Sequence, residues 1–448
     1  MRRQVNGQIV MTSSTMQSES SIAPATTPTK PPIHALVATW LGGVFDGMDS
    51  SIFAIVLYPA LSEILGTKSH GIVAEHGSWI VALFMFGWAF GAIAFGTLAD
   101  YIGRAKTMTI TILLYACCTG LCALAHTWWE LGLYRFLVGA GIGGELGIGA
   151  VYLSECWPNR SRAFAVGLMA TSLGFGYLAT ALLNLTLGHM GWRWLFVAGI
   201  VPAFLTVYIR TKLKESDHFH EVQHERKRIL AKSEEHRTDE EKHSVKFTML
   251  HLFSHDNARR TFMVSILACV AIICWWAVLA WIPAWVNQLT GDLAVEQRSH
   301  AMFAKDAGMI LSGLIGGWLI KKCGYKPVLS VSMFLAFMCS IGMFQTIHSY
   351  QPALLAWIGA LALFAHLPFV VLWLYIPELF PSRIRSTAFG FSYNVGRVAA
   401  AFAVLASGIM IKDWFNGSYA MAASCVSTVY VIGAIAALFM PKTSGEIS

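Results

Sequence analysis

Long apolar runs recur along the chain. Each is close to the ~20 residues that a helix rising ~1.5 Å per residue needs to cross a ~30 Å hydrocarbon core. Twelve such runs are predicted as membrane-spanning helices, over 34–60, 77–98, 106–126, 129–153, 163–187, 192–210, 261–287, 300–320, 326–347, 352–376, 385–411 and 418–440. Polar segments flank them. Residues 1–33, rich in Ser, Thr, Pro and Gln and without a signal-peptide core, read as a disordered cytosolic tail. Residues 211–260 read as a charged cytosolic linker dividing the spans six and six, and 441–448 as a second tail. The expected fold class is an all-α membrane protein with twelve transmembrane helices in two six-helix lobes, 34–210 and 261–440.

Composition supports a lipid solvent. Of 448 residues, 56% are apolar and 13% charged, with a mean hydropathy of +0.57, whereas a soluble domain carries about 25% charge. Between Arg210 and Arg260 lie 22 of the charges, so the spans hold very few. The net charge of +7 comes with no basic helix suited to nucleic acid and fits the positive-inside bias of membrane proteins. With the N-terminus inside, the inner loops hold Arg104, Lys106, Arg160, Arg162, Lys321, Lys322, Lys326, Arg383 and Arg385, against Lys68, Arg193, Arg298 and Lys412 outside. Both termini are therefore expected in the cytosol, with the chain a multi-pass protein of the plasma (inner) membrane. Nine cysteines sit in or beside apolar stretches and form no paired CxxC; they read as packing residues. The residues inside the spans show no metal-ligand spacing such as HExxH and no GxSxG, so neither enzyme chemistry nor a metal or cofactor is expected.

The chain repeats itself. Glu155, Pro158, Arg162, Ala165 and Gly167 recur as Glu378, Pro381, Arg385, Ala388 and Gly390, offset by 223 residues, and Gly96, Leu98 and Gly103 recur as Gly317, Leu319 and Gly324, offset by 221. Two motifs at nearly one offset, with an even number of spans between copies, indicate the parallel repeat of a two-lobed transporter. One motif misleads. Gly139, Gly141 and Gly144 satisfy GxGxxG, but mid-span, where close helix packing explains glycines better than a dinucleotide does.

Gly96-Thr-Leu98-Ala-Asp100-Tyr-Ile-Gly103-Arg104-Ala-Lys106, between spans 2 and 3, closely resembles the loop signature of the major facilitator superfamily. In the second copy Lys321 and Tyr325 replace the Asp and Arg. The resemblance covers 34–440 and implies an alternating-access carrier with Gly96, Asp100, Gly103, Arg104, Glu155, Arg162, Glu378 and Arg385 as gating residues, Asp100 meeting the start of the eleventh span near Ser386 when the inner side closes. The bland alternative is that Asp100 and Arg104 solvate a turn. Asp46-Gly47-Met48-Asp49, Gly144-Glu145-Leu146-Gly147 and Gly191-Trp192-Arg193-Trp194 look most like the sialate, monocarboxylate and aromatic-acid proton symporters of that superfamily.

Ionisable residues inside spans cost ~2.5–3.5 kcal/mol each and read as functional. The list drawn from the pattern is Asp46, Asp49, Arg135, Glu145, His366 and Arg397. Proton-coupled sugar porters pair a first-span Asp with a fourth-span Arg, and Asp49 and Arg135 fill those places. A carboxylate beside a guanidinium stays ionised and binds a proton more readily once desolvated without it. Asp49, Arg135, Asp46 and Glu145 are thus the proton-coupling candidates, with a static ion pair as the alternative for Asp49 and Arg135. Arg397 either anchors a substrate carboxylate or pairs with Asp46 or Glu145; Asn394 shares its face, and His366 is either a packing residue or a proton relay. The reading is a carrier, expected to be monomeric, for protons and a small organic anion (a monocarboxylate, acidic sugar or aromatic acid). Uptake of a neutral sugar or polyol, and a membrane sensor that transports nothing, are the alternatives.

Overall fold

A computed structural model describes residues 33–157, 165, 168–169, 171–205, 208, 252–291, 294–380 and 385–441. The N-terminal tail, nearly all of the linker, Pro158–Arg162 and Pro381 lie outside that set. The described residues are helical: α1 (Ile33–Leu65), α2 (His70–Ile102), α3 (Arg104–Cys122), α4 (Trp128–Cys156) and α5 (Ser172–Leu187); α6 (Trp192–Leu205), α7 (Asn257–Thr290), α8 (Val295–Cys323) and α9 (Tyr325–Thr346); α10 (Pro352–Leu379); and α11 (Thr387–Trp414) and α12 (Tyr419–Leu438). Among the described residues nine helices are long and apolar enough to cross a bilayer.

Local chemistry sets the helix ends. Thr127 and Glu130 form a reciprocal capping box that opens α4, satisfying amides that no carbonyl reaches at a helix start. The α2–α3 and α8–α9 joints each turn on one glycine in the left-handed region, Gly103 (φ 106°) and Gly324 (φ 82°), a conformation a Cβ would penalise. These glycines are the two copies of the loop motif, so the repeat is visible in the backbone. In α7 the helix breaks into a tight 3-10 turn at Leu279–Trp281 and restarts with Pro283 in its first turn, where the missing amide costs nothing.

Packing repeats with the sequence. α1 packs on α5, α2 on α4, and α3 on α4 and α6; six helices later, α7 packs on α11, α8 on α10, and α9 on α10 and α12. The lobes meet along α2–α11 and α5–α8, and α1 touches the second half of α7. Within lobes the closest crossings use glycine. A Cβ added at Gly87, Gly91, Gly139 or Gly143 would strike the backbone carbonyl of Phe136, Ala140, Phe84 or Trp88, so α2 and α4 touch main chain to main chain. The GxGxxG stretch is a packing face. Bulky residues such as Phe90, Leu314, Trp318 and Phe402 stay exposed, as expected where the surrounding solvent is hydrocarbon.

Candidate transport site

α1 carries the first charges. Asp46 and Asp49 are fully buried but face different neighbours. Asp49 Oδ1 accepts from Thr119 Oγ1 of α3 at 2.6 Å and lies 3.6 Å from Arg135 Nη1 of α4, which also donates to the Asp49 carbonyl at 3.3 Å. The guanidinium rests over the Phe84 ring, 4.4 Å from its centroid. The structure therefore joins the two residues that the sequence motif pairs. α5 steadies this stretch of α1: Thr180 donates to the Met48 carbonyl at 2.8 Å.

Asp46 instead faces Glu145 of α4, with the Tyr115 hydroxyl close by. Gly42 makes the room, since a Cβ there would overlap the Glu145 carboxylate. Neither oxygen of either carboxylate finds a hydrogen-bond donor among the described residues. Arg397 does not pair with them. Its Nη1 donates to Asn394 Oδ1 at 2.9 Å and its guanidinium lies 4.6 Å from the Trp88 ring centre, across the lobe interface. His366 Nδ1 is 2.6 Å from Ser312 Oγ, its ring stacked on Phe369 and edge-on to Trp275.

The sequence-derived list of intramembrane charges was too short. α8 also buries Lys305 and Asp306, with Nζ 3.2 Å from Oδ1, and Lys305 lies 4.9 Å from the Tyr177 ring centre and 5.9 Å from that of Trp275. Two small recesses adjoin here. They share Ser50, Ala54, Trp276 and Ala280; Arg135 lines the first and Lys305 the second.

The lobes are sealed on the side away from residues 33 and 441. There Lys412 Nζ of α11 meets Glu75 Oε2 of α2 at 2.9 Å, Asn184 of α5 donates to Ser299 Oγ of α8 at 2.9 Å, and Tyr419 donates to the His70 carbonyl at 3.4 Å while meeting the His70 ring edge-on. On the terminal side, a Cβ added at Gly96 of α2 or Gly390 of α11 would meet no described atom within 4 Å. Arg104 opens α3, and the Tyr325 hydroxyl, at the Arg position of the second motif copy, faces Glu378. The side chains of Asp100, Glu155 and Arg385, and all of Arg162, lie outside the described residues. Glu75 and Lys412 are partly exposed, so their pair is a weak latch that one substitution can loosen. Lys412→Gln should therefore speed far-side labelling of an Ala54→Cys recess residue by an impermeant maleimide, by up to ~5-fold; an unchanged rate would remove the pair from the seal.

A profile of the family described as "Sugar (and other) transporter" matches residues 35–447. A Haemophilus influenzae chain ascribed to metabolite transport is 29% identical, over 92% of this chain and 97% of its own. The niacin transporter NiaP of Acinetobacter baylyi is 26% identical, over 91% and 93%. Among solved structures, the D-xylose–proton symporter superposes with a TM-score of 0.70 at 17% identity, covering 93% of this chain and 99% of that one. The chain belongs to the sugar (and other) transporter family of the major facilitator superfamily, and is a multi-pass membrane transporter, not an enzyme.

Proposed function

We propose that the protein is a proton-coupled symporter of small organic anions that works by alternating access, with both termini in the cytosol of a cell whose plasma (inner) membrane it spans. In that orientation the terminal side faces the cytosol and the Glu75–Lys412 seal faces outside. The carrying observation is the contact between Asp46 and Glu145, with the Tyr115 hydroxyl beside Glu145 and no cation paired with either carboxylate among the described residues. Two buried acceptors that face each other are satisfied when one proton lies between them, because like charges so close in a dry site do not both ionise.

Beside them, Arg135 offers Asp49 a counter-charge that lobe rocking can withdraw, which would let Asp49 take a proton from outside. An organic acid as cargo is supported by NiaP, whose name gives it niacin, an aromatic carboxylate, and by the cations that this interface exposes to a ligand. Arg397 has Asn394 and the Trp88 face for company but no carboxylate among the described residues, and a guanidinium so placed receives a carboxylate bidentately. His366, held by Ser312, supports the shape of the pocket from α10.

The test is uptake of labelled nicotinate or benzoate into proteoliposomes with an imposed pH gradient, acid outside. Accumulation above equilibrium that collapses with a protonophore is expected, with competition from free acids but not from their amides. Identical plateaus with and without the gradient would overturn proton coupling.

A further inference from the structure

Lys305 is an unusual place for an ammonium. It is 6% exposed and Asp306 0% exposed, and between them they supply one close approach of 3.2 Å. Adjacent residues on a helix point about 100° apart and do not face each other. The pair is correspondingly imperfect: neither Asp306 oxygen makes a geometrically sound hydrogen bond among the described residues. An ammonium has three donors, so Lys305 holds its neighbour with one and has capacity left for a second acceptor.

Its surroundings are selective. Three helices converge on Lys305: α5 brings the Tyr177 ring, α7 the Trp275 ring, and α8 the lysine itself with Met302 one turn away. Trp276 completes a wall of the recess, and Ser50 and Ser51 of α1 add hydroxyls. A cation ringed by aromatic faces suits a flat molecule with one carboxylate: the acid end meets the ammonium, and the ring stacks where aromatic pairs gain beyond simple burial. Tyr177 belongs to one lobe and Trp275, Trp276 and Lys305 to the other, so a bound ligand bridges the parts that must rock.

We infer that the recess formed by Lys305, Tyr177, Trp275, Trp276 and Ser51 is the binding site for a planar, aromatic or conjugated monocarboxylate, whose acid group takes the place of Asp306 on the Lys305 ammonium. The inference rests on the organic-anion reading above, narrows it to one shape of anion, and puts Lys305 in place of Arg397 as the anchor of its carboxylate. Asp306 is the resident counter-ion of the empty site. Its competition with the ligand keeps the affinity moderate.

Binding of benzoate, cyclohexanecarboxylate and benzamide to the purified full-length protein, followed by tryptophan fluorescence and calorimetry, tests this. Wild-type protein should bind benzoate at least tenfold more tightly than benzamide and several-fold more tightly than the non-planar acid. Lys305→Gln should weaken benzoate by roughly 10–100-fold, the range for losing a charge-assisted hydrogen bond, while Asp306→Asn should tighten it several-fold. Benzamide binding as well as benzoate, or a Lys305→Gln protein within twofold of wild type, overturns the site. The wild-type series decides even if a variant does not fold. Parallel uptake separates the layers: benzoate accumulated under a pH gradient with affinity indifferent to Lys305→Gln sinks the site and leaves symport standing. Binding as described without gradient-driven accumulation leaves the site and sinks symport.

Discussion

Asp49→Asn is expected to abolish pH-driven accumulation while sparing exchange of labelled for unlabelled substrate. One proton moved per anion across two pH units sustains up to ~100-fold accumulation, and a carrier that no longer titrates at this position should merely equilibrate its cargo. The substitution is close to isosteric. Asn still accepts from Thr119, now at 2.6 Å from Asp49 Oδ1, and the backbone carbonyl still receives Arg135. What disappears is the negative charge that Arg135 answers at 3.6 Å. A buried guanidinium left uncompensated destabilises by ~3–5 kcal/mol, partly offset by its seat on Phe84. Melting should therefore fall although exchange persists. Accumulation in the variant equal to wild type would assign the proton elsewhere, with Asp46 and Glu145 the next positions to neutralise.

Gly143→Val is expected to cost the fold itself. Even a Cβ at this position would overlap the Trp88 carbonyl, and on the same crossing Gly87, Gly91 and Gly139 are equally tight against backbone. No side-chain rotation relieves a clash with main chain, so α2 and α4 must separate along their whole contact. Overpacking against flexible neighbours costs ~1–3 kcal/mol; here a loss beyond ~4 kcal/mol is expected, seen as absence of a monodisperse peak on size exclusion. Gly96→Val is the control. It adds the same bulk where a Cβ meets no described atom within 4 Å, so the protein should elute and melt like wild type. It should nevertheless transport more slowly if α2 approaches α11 there when the terminal side closes. Normal folding of Gly143→Val would refute the main-chain contact.

The architecture was legible because lipid imposes a simple pattern: spans show as apolar runs, and the duplicated motifs indicate two lobes of like topology. Boundaries fared less well where polar residues continue a helix past the hydrocarbon. α2 begins at His70, seven residues before the predicted span, because Glu75 is needed at the seal with Lys412. α7 begins at Asn257, where Asn and Arg still wind helically below the membrane.

The site was legible in part. The resemblance to proton-coupled sugar porters paired Asp49 with Arg135, and depth singled out Asp46, Glu145, His366 and Arg397. It could not say who faces whom: Arg397 turns to Trp88 across the interface, and the two carboxylates turn to each other. Lys305 and Asp306 escaped for a geometric reason. Started at 300, the eighth span puts Lys305 about 8 Å deep, where a lysine snorkels unremarked; started at Val295, it is about 15 Å deep. Two ionisable residues in that run were the available signal.

The far-side seal has a consequence for how such a carrier is measured. If the empty protein rests with that side shut, a solute arriving there meets only the fraction of molecules that happen to be open, and its half-saturation concentration is the intrinsic dissociation constant divided by that fraction. A tenth of the population open makes the carrier look roughly tenfold weaker from the sealed side than from the other. Contacts such as Glu75–Lys412 and Tyr419–His70, which touch no substrate, thereby set the concentration range over which the carrier responds to solute on the sealed side.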